Sequence, residues 1–266
     1  MSGAGLAVPA MRPAALGVEG MTLRVGGRTI LDDVSFRAAG GELVALVGPN
    51  GVGKTSLLKA MLGLVPASGR VMVDGRDLAT RSRRDRARAV GYLPQGHESH
   101  WPLKVRDIVT LGRFPHGGKT GDVGNGDVVA RAMAVAGVSD LADRPVTRLS
   151  GGEQARVALA RALAVEAPVL FADEPIAALD PRYQLVIMQL LRDLSHAGRL
   201  VVAVLHDLAL VSRFADRVLV MQAGRIVADG APDAVLDDAL LADVFGIVAR
   251  RGELDGERVF LPWRAV

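Results

Sequence analysis

Apolar positions along this chain recur with two periods, and each predicts a different element. Leu16, Val18, Met21, Leu23 and Val25 read as a first strand and Val34–Ala38 as a second. Glu42–Val47 is a short apolar run ending in Gly-Pro-Asn-Gly, a strand entering a loop, and Lys54–Leu62 beyond it has helical spacing. Val71–Val73, closed by the turn signal Asp74-Gly75, and Val90–Pro94 read as further strands. Two helical patterns, Val105–Gly112 and Asp127–Ala136, flank the glycine-rich stretch His116–Gly126. Strand–helix alternation then resumes, with a helix at Gln154–Val165, a strand at Val169–Ala172 and a helix at Pro181–Ser195. A strand at Leu200–Leu205, a helix at Leu208–Phe214 and a strand at Val218–Met221 complete it. Asp180 suits the N-cap of the helix at 181, Pro181 its first position, and Gly198 follows its end.

This order predicts an α/β domain with a parallel core sheet, an N-terminal antiparallel β patch and one inserted helical subdomain, about 96–165. Residues 1–15 read as a loose tail, 16–245 as the main domain, and 246–266 as an extension with a short hairpin around Asp255-Gly256. No apolar stretch reaches the roughly 18 residues that a spanning helix needs. The N-terminus lacks the basic start of a signal peptide, so the expectation is a soluble cytoplasmic chain.

Composition narrows the function classes. The absence of cysteine excludes disulfide scaffolds, zinc fingers, iron–sulfur sites and thiol catalysis. Aromatics amount to 4% of the chain, so the core rests on Ala, Val and Leu, and a stacking surface for nucleic-acid bases is not expected. A net charge of +3 does not by itself point to nucleic acid. The basic run Arg81–Arg88 reads as a solvated helix face.

Three stretches carry chemistry. Gly48-Pro49-Asn50-Gly51-Val52-Gly53-Lys54-Thr55 satisfies G-x-x-x-x-G-K-[ST] between a predicted strand and a predicted helix. Backbone N–H groups of such a loop wrap a phosphate, with the helix dipole behind them. Lys54 would bind phosphate oxygens and Thr55 would place its hydroxyl on Mg²⁺, with Ser56 next to it in the first helical turn. Val169–Ala172 followed by Asp173-Glu174 puts two acids at a strand end, Asp173 to hold Mg²⁺ and Glu174 to act as general base. Leu149-Ser150-Gly151-Gly152-Glu153-Gln154 contains an S-x-x-E capping box, and the same geometry makes an anion site. Two glycines at the start of a helix are costly for capping alone, which favours close backbone approach to a ligand.

These elements, in this order, resemble the ATP-binding cassette (ABC) family. Gly48–Thr55 resembles its Walker A motif, Leu149–Gln154 its LSGGQ signature (Glu153 standing for Gln), and Val169–Glu174 its Walker B. Gln95 resembles the Q-loop glutamine, Ala177–Asp180 the D-loop, and His206 the switch histidine. The resemblance spans about residues 16–245 on a P-loop NTPase core and implies hydrolysis of ATP with Mg²⁺ in a head-to-tail homodimer. Each ATP would lie between the Walker A loop of one copy and Ser150, Gly151, Gly152 and Glu153 of the other. Thr55, Gln95 and Asp173 would hold the metal, Glu174 would activate water, and His206 would contact the γ-phosphate. One departure stands out: Val25 occupies the place where the family often stacks an aromatic on adenine.

The stretch His100–His116, which includes Trp101, Leu103 and Phe114, looks like that of ATPases serving importers of metal chelates: iron–siderophore, haem or cobalamin. The implied partners are separate membrane subunits and a substrate-binding protein, with no nucleic acid, and the implied place is the cytoplasmic face of the membrane. Trp101, Leu103 and Phe114 would either line a groove for a helix of the membrane subunit or form the small core of the helical insertion, and Tyr92, Trp101 and Phe114 fall in one short region around Gln95 where a partner is expected to dock. Rival readings are an ABC exporter ATPase, an importer of another solute, a non-transport ABC ATPase and a nucleotide-binding module without turnover.

Overall fold

The alternating N-terminal segment folds as two long antiparallel strands, β1 (Ala15–Val25) and β2 (Arg28–Ala39), in the computed structural model of the chain. The structure describes residues 10–96, 102–117, 125–177, 179–254 and 257–266. Most of the predicted tail, Trp101, part of the glycine-rich stretch, Ala178 and the Asp255-Gly256 turn lie outside these residues. β2 begins well before the predicted Val34. Asp32 and Asp33 interrupt its alternation, Asp33 sits at φ 55°, and the β1–β2 register shifts beside it. Gly20, at φ 62°, donates its N–H to Ser35 Oγ at 2.9 Å, so this irregular pairing leaves that donor satisfied.

β3 (Leu43–Val47) leads into α1 (Lys54–Met61). β4 (Ser68–Val73) and β5 (Arg76–Asp77) complete an antiparallel sheet of order β2-β1-β4-β5. The basic run forms α2 (Arg83–Ala89), capped by Ser82, whose Oγ accepts from Asp85 N at 3.1 Å. Its arginines are not all solvated: Arg81 donates to the Val73 carbonyl and Arg88 to the Pro115 carbonyl.

After β6 (Val90–Leu93) come α3 (Val105–Thr110), α4 (Asn125–Val135) and α5 (Gly151–Leu163). The predicted helix over 105–112 tightens into a 3₁₀ turn at Leu111–His116, where Gly112 packs against the Arg161 carbonyl and Pro115 has no N–H to give. Then follow β7 (Val169–Asp173), α6 (Pro181–His196), β8 (Leu200–Val204), α7 (Leu208–Phe214) and β9 (Arg217–Gln222).

β10 (Arg225–Gly230) was not anticipated. It returns through Ala223-Gly224, both at positive φ, but its Val227 is exposed, so the apolar alternation is weak. β11 (Ile247–Leu254) and β12 (Glu257–Ala265) pair antiparallel at the end of the chain.

The main sheet has the order β10-β9-β3-β8-β7-β6, parallel except for edge strand β10. Its central strands read as unbroken apolar runs because both faces are covered. Leu43, Ala45, Leu170, Ala172, Val201 and Ala203 face one core with α5, α6 and α7. Val44, Leu46, Phe171, Val202 and Val204 face the other, with α1 and the antiparallel sheet. Because β3, β8 and β7 are adjacent and parallel, whatever follows their C-terminal ends is gathered along one edge.

Candidate functional site

Three consecutive neighbours in the sheet deliver the predicted residues: Gly48 onward after β3, His206 after β8, and Asp173-Glu174 at the end of β7. The next strand, β6, leads into Gln95.

The loop 48–53 depends on glycine at defined points. Gly48 lies at φ 149°, and a Cβ there would overlap the Met221 carbonyl oxygen. Gly53, the N-cap of α1, lies at φ 103°, and a Cβ would sit 2.9 Å from the Ile30 carbonyl oxygen. Asn50 and Gly51 are exposed, and no side chain caps α1, so the first-turn N–H groups of Lys54, Thr55 and Ser56 face the loop. Pro49 and Val52 are partly buried in the loop wall.

Lys54 is buried, and its Nζ donates to the carbonyls of Gly48 (2.7 Å) and Pro49 (2.9 Å). An ammonium has three donors, so one remains for a ligand. Desolvation lowers the Lys54 pKa, while the charges of Glu174 and Asp173 work against that shift.

The acids at the end of β7 diverge. Asp173 is fully buried; its Oδ1 accepts from Thr55 Oγ1 at 2.8 Å and its Oδ2 from the Tyr92 hydroxyl at 3.2 Å. Glu174 follows at φ 50°, a left-handed turn that costs about 1–2 kcal/mol outside glycine and swings its carboxylate off the strand line. Its Oε2 accepts from Gln95 Nε2 at 2.7 Å, and its Oε1 lies 2.8 Å from His206 Nε2. Glu174, Gln95 and His206 are thus one contact group, while Thr55, Asp173 and Tyr92 form a second group beside it.

The contact of Tyr92 with Asp173 is what sequence reasoning missed, having placed Tyr92 only among the aromatics around Gln95 where a partner is expected to dock. Burial, then the Asp173 charge and the hydrogen bond to it, push its phenol well above the ordinary range, so it stays a donor. Its position three residues before Gln95 was the available signal.

The Ser150 capping box forms in full: Ser150 Oγ accepts from Glu153 N (3.3 Å) and Glu153 Oε2 accepts from Ser150 N (2.8 Å). Hydrogen bonding from the Ser150 backbone holds the Glu153 carboxyl below its usual range. The two glycines have different reasons. Gly151 is exposed, with open space where a Cβ would stand. Gly152 packs against its own chain, a Cβ there standing 2.7 Å from the Tyr183 ring, so its small size has an intrachain cause besides ligand approach. Asp180 is exposed and caps α6, accepting from Tyr183 N at 3.1 Å, so one tyrosine touches both the signature turn and the D-loop stretch.

Val25 is 57% exposed at the β1–β2 tip, whose neighbour Ile30 abuts Gly53. Leu103 and Phe114 are also exposed. A groove of about 620 Å³ runs between the C-terminal end of α1, α2 and β6, lined by Leu64, Arg83, Arg86, Tyr92 and Pro115 among others; Leu103 and Phe114 are not in its wall, Phe114 preceding Pro115 in the chain.

Known proteins match this chain in sequence and fold. The ABC transporter family model matches residues 31–177. The haemin import ATP-binding protein HmuV of Nocardia farcinica is 48% identical over 219 residues, 82% of this chain and 76% of the relative. The cobalamin import ATP-binding protein BtuD of Halobacterium salinarum is 45% identical over 83% of this chain and 56% of its own length. Among solved structures, a transporter described as metal-chelate type, in an inward-facing conformation, superimposes with a TM-score of 0.81 at 26% identity, covering 94% of this chain and 98% of the other. A family model over more than half of the chain and relatives 45–48% identical over more than four fifths of it lead to one conclusion: the chain belongs to the ABC transporter family, whose ATP-binding proteins are ATPases.

Proposed function

We propose that this chain is the ATP-hydrolysing subunit of an importer that moves a metal chelate (iron–siderophore, haem or cobalamin) through separate membrane subunits. The observation that carries the catalytic part is the placement of Glu174 between Gln95 and His206, next to the Thr55–Asp173 pair and the Lys54 loop. The kinship to haemin and cobalamin import ATP-binding proteins supports the substrate class.

The loop N–H groups and Lys54 bind the phosphates. Thr55 Oγ1 and an Asp173 oxygen, 2.8 Å apart, with the side-chain oxygen of Gln95 from the adjoining Glu174 group, are hard oxygen donors, a set that suits Mg²⁺, which keeps waters and substrate phosphates as its other ligands. Mg²⁺, when bound, neutralises charge on the phosphate oxygens. Glu174 accepts a proton from the water whose oxygen attacks the γ-phosphorus, and the bond to the ADP oxygen breaks with its electron pair leaving on ADP. His206 and Gln95 hold the Glu174 carboxylate, and His206 turns to the γ-phosphate when ATP is present.

Ser150 and Gly151 lie exposed on the N-terminal turn of α5, which fits completion of the site by a second copy. The α1–α2–β6 groove, with exposed Phe114 next to its wall residue Pro115, fits a cytoplasmic helix of a membrane subunit, with a substrate-binding protein on the far side of the membrane. No helix among the described residues is long and apolar enough to cross a membrane, in keeping with peripheral attachment.

The test is uptake into proteoliposomes that hold this chain and its membrane subunits. The reading expects ATP-driven accumulation of one of the three chelates, lost with Lys54→Ala. Coupling to a peptide or lipid substrate instead would overturn the importer assignment.

A further inference from the structure

Strand β6 borders two places at once. On one side, Tyr92 lines the groove between α1 and α2. On the other, its hydroxyl donates to Asp173 Oδ2 at 3.2 Å, while Gln95, three residues on, donates to Glu174 Oε2 at 2.7 Å. One edge strand and the loop that follows it therefore contact both adjacent acids. The ring of Tyr92 is half-buried, and its neighbours along β6, Val90 and Gly91, line the same groove. Val90, Gly91 and Tyr92 form one wall of the groove, so a helix seated against that wall meets the ring or the strand that carries it. Asp173 has only two oxygens, one taken by Thr55 and one by Tyr92, so displacement of the phenol changes the aim of the carboxylate directly.

We propose that Tyr92 is a positioning residue that links occupancy of the α1–α2–β6 groove to the metal-holding geometry of Asp173. This rests on the reading of Asp173 as a Mg²⁺ ligand and of the groove as the partner's seat. Hydrogen-bonded partners that orient metal ligands set metal affinity by about 10–100-fold. A tyrosine suits the task because its apolar body can face a docking groove while its polar tip serves a buried acid.

The experiment is a double-mutant cycle on the purified full chain. Mg²⁺ is titrated into protein with a fluorescent ATP analogue, and the half-saturating Mg²⁺ concentration is read from nucleotide binding, without turnover. Tyr92→Phe keeps the ring and removes the donor, and is expected to raise that concentration about 10-fold. Leu64→Trp adds bulk in the groove, where Leu64 is exposed, and stands in for a docked helix. It is expected to shift the Mg²⁺ requirement with Tyr92 intact, and much less in the Tyr92→Phe background. Equal shifts from Leu64→Trp in both backgrounds, or no effect of Tyr92→Phe, would overturn the proposal. Lys54→Ala separates the two levels: nucleotide binding insensitive to Lys54→Ala would strike at the functional reading itself, whatever Tyr92 does.

Discussion

At Val25 the chain offers an aliphatic side chain, 57% exposed on a hairpin tip that abuts the phosphate loop. An aromatic there would add a flat face for a purine, and ring stacking contributes about 0.5–1.5 kcal/mol beyond area burial. Val25→Tyr is therefore expected to tighten ATP binding by about 2–10-fold in a nucleotide titration. Unchanged or weaker binding would remove Val25 as the adenine contact. Lys54, Thr55, Asp173 and Glu174 were legible as residues because loop spacing and a strand ending in two acids each imply a mechanism. The Tyr92–Asp173 contact was not, because it is made across two strands, Tyr92 facing Phe171 in the pairing register, and no local spacing encodes that.

At the scale of elements, α5 shows how one turn serves two purposes. Ser150 and Glu153 close the capping box, and the Glu153 carboxyl is held below its usual 4.5 chiefly by the Ser150 N–H. A folded-state pKa below the unfolded one adds stability above the unfolded value, and this is lost as pH falls through the folded value. Glu153→Gln keeps an acceptor and removes the charge. In urea unfolding, wild type should exceed the variant at neutral pH, with the difference shrinking as pH falls below the usual carboxyl value of 4.5. A difference that grows on acidification would contradict the sign. Strands β3, β7 and β8 were legible as apolar runs because both their faces are buried. The first half of β2 and all of β10 were not, because register shifts and an exposed edge break the alternation that reveals a strand. The signature glycines show the opposite error: sequence cost argued for a ligand at both, yet Gly152 also meets Tyr183 of its own chain.

Across the whole molecule, a parallel sheet gathers the ends of β3, β8, β7 and β6 along one edge, and the glycine-rich loop 48–53, two divergent acids, a histidine and a glutamine meet there. The order of motifs made this edge legible before any coordinates. The contact of β6 and the loop that follows it with both acids came only from the fold. The central claim is that Glu174, held by Gln95 and His206, is the general base for ATP hydrolysis. It is tested most directly by ATP turnover and ATP binding, measured side by side for wild type and Glu174→Gln in the assembled transporter. Removing a catalytic base costs about 10²–10⁴-fold in rate. The account predicts a loss of at least that order with ATP binding retained; turnover equal to wild type would contradict it.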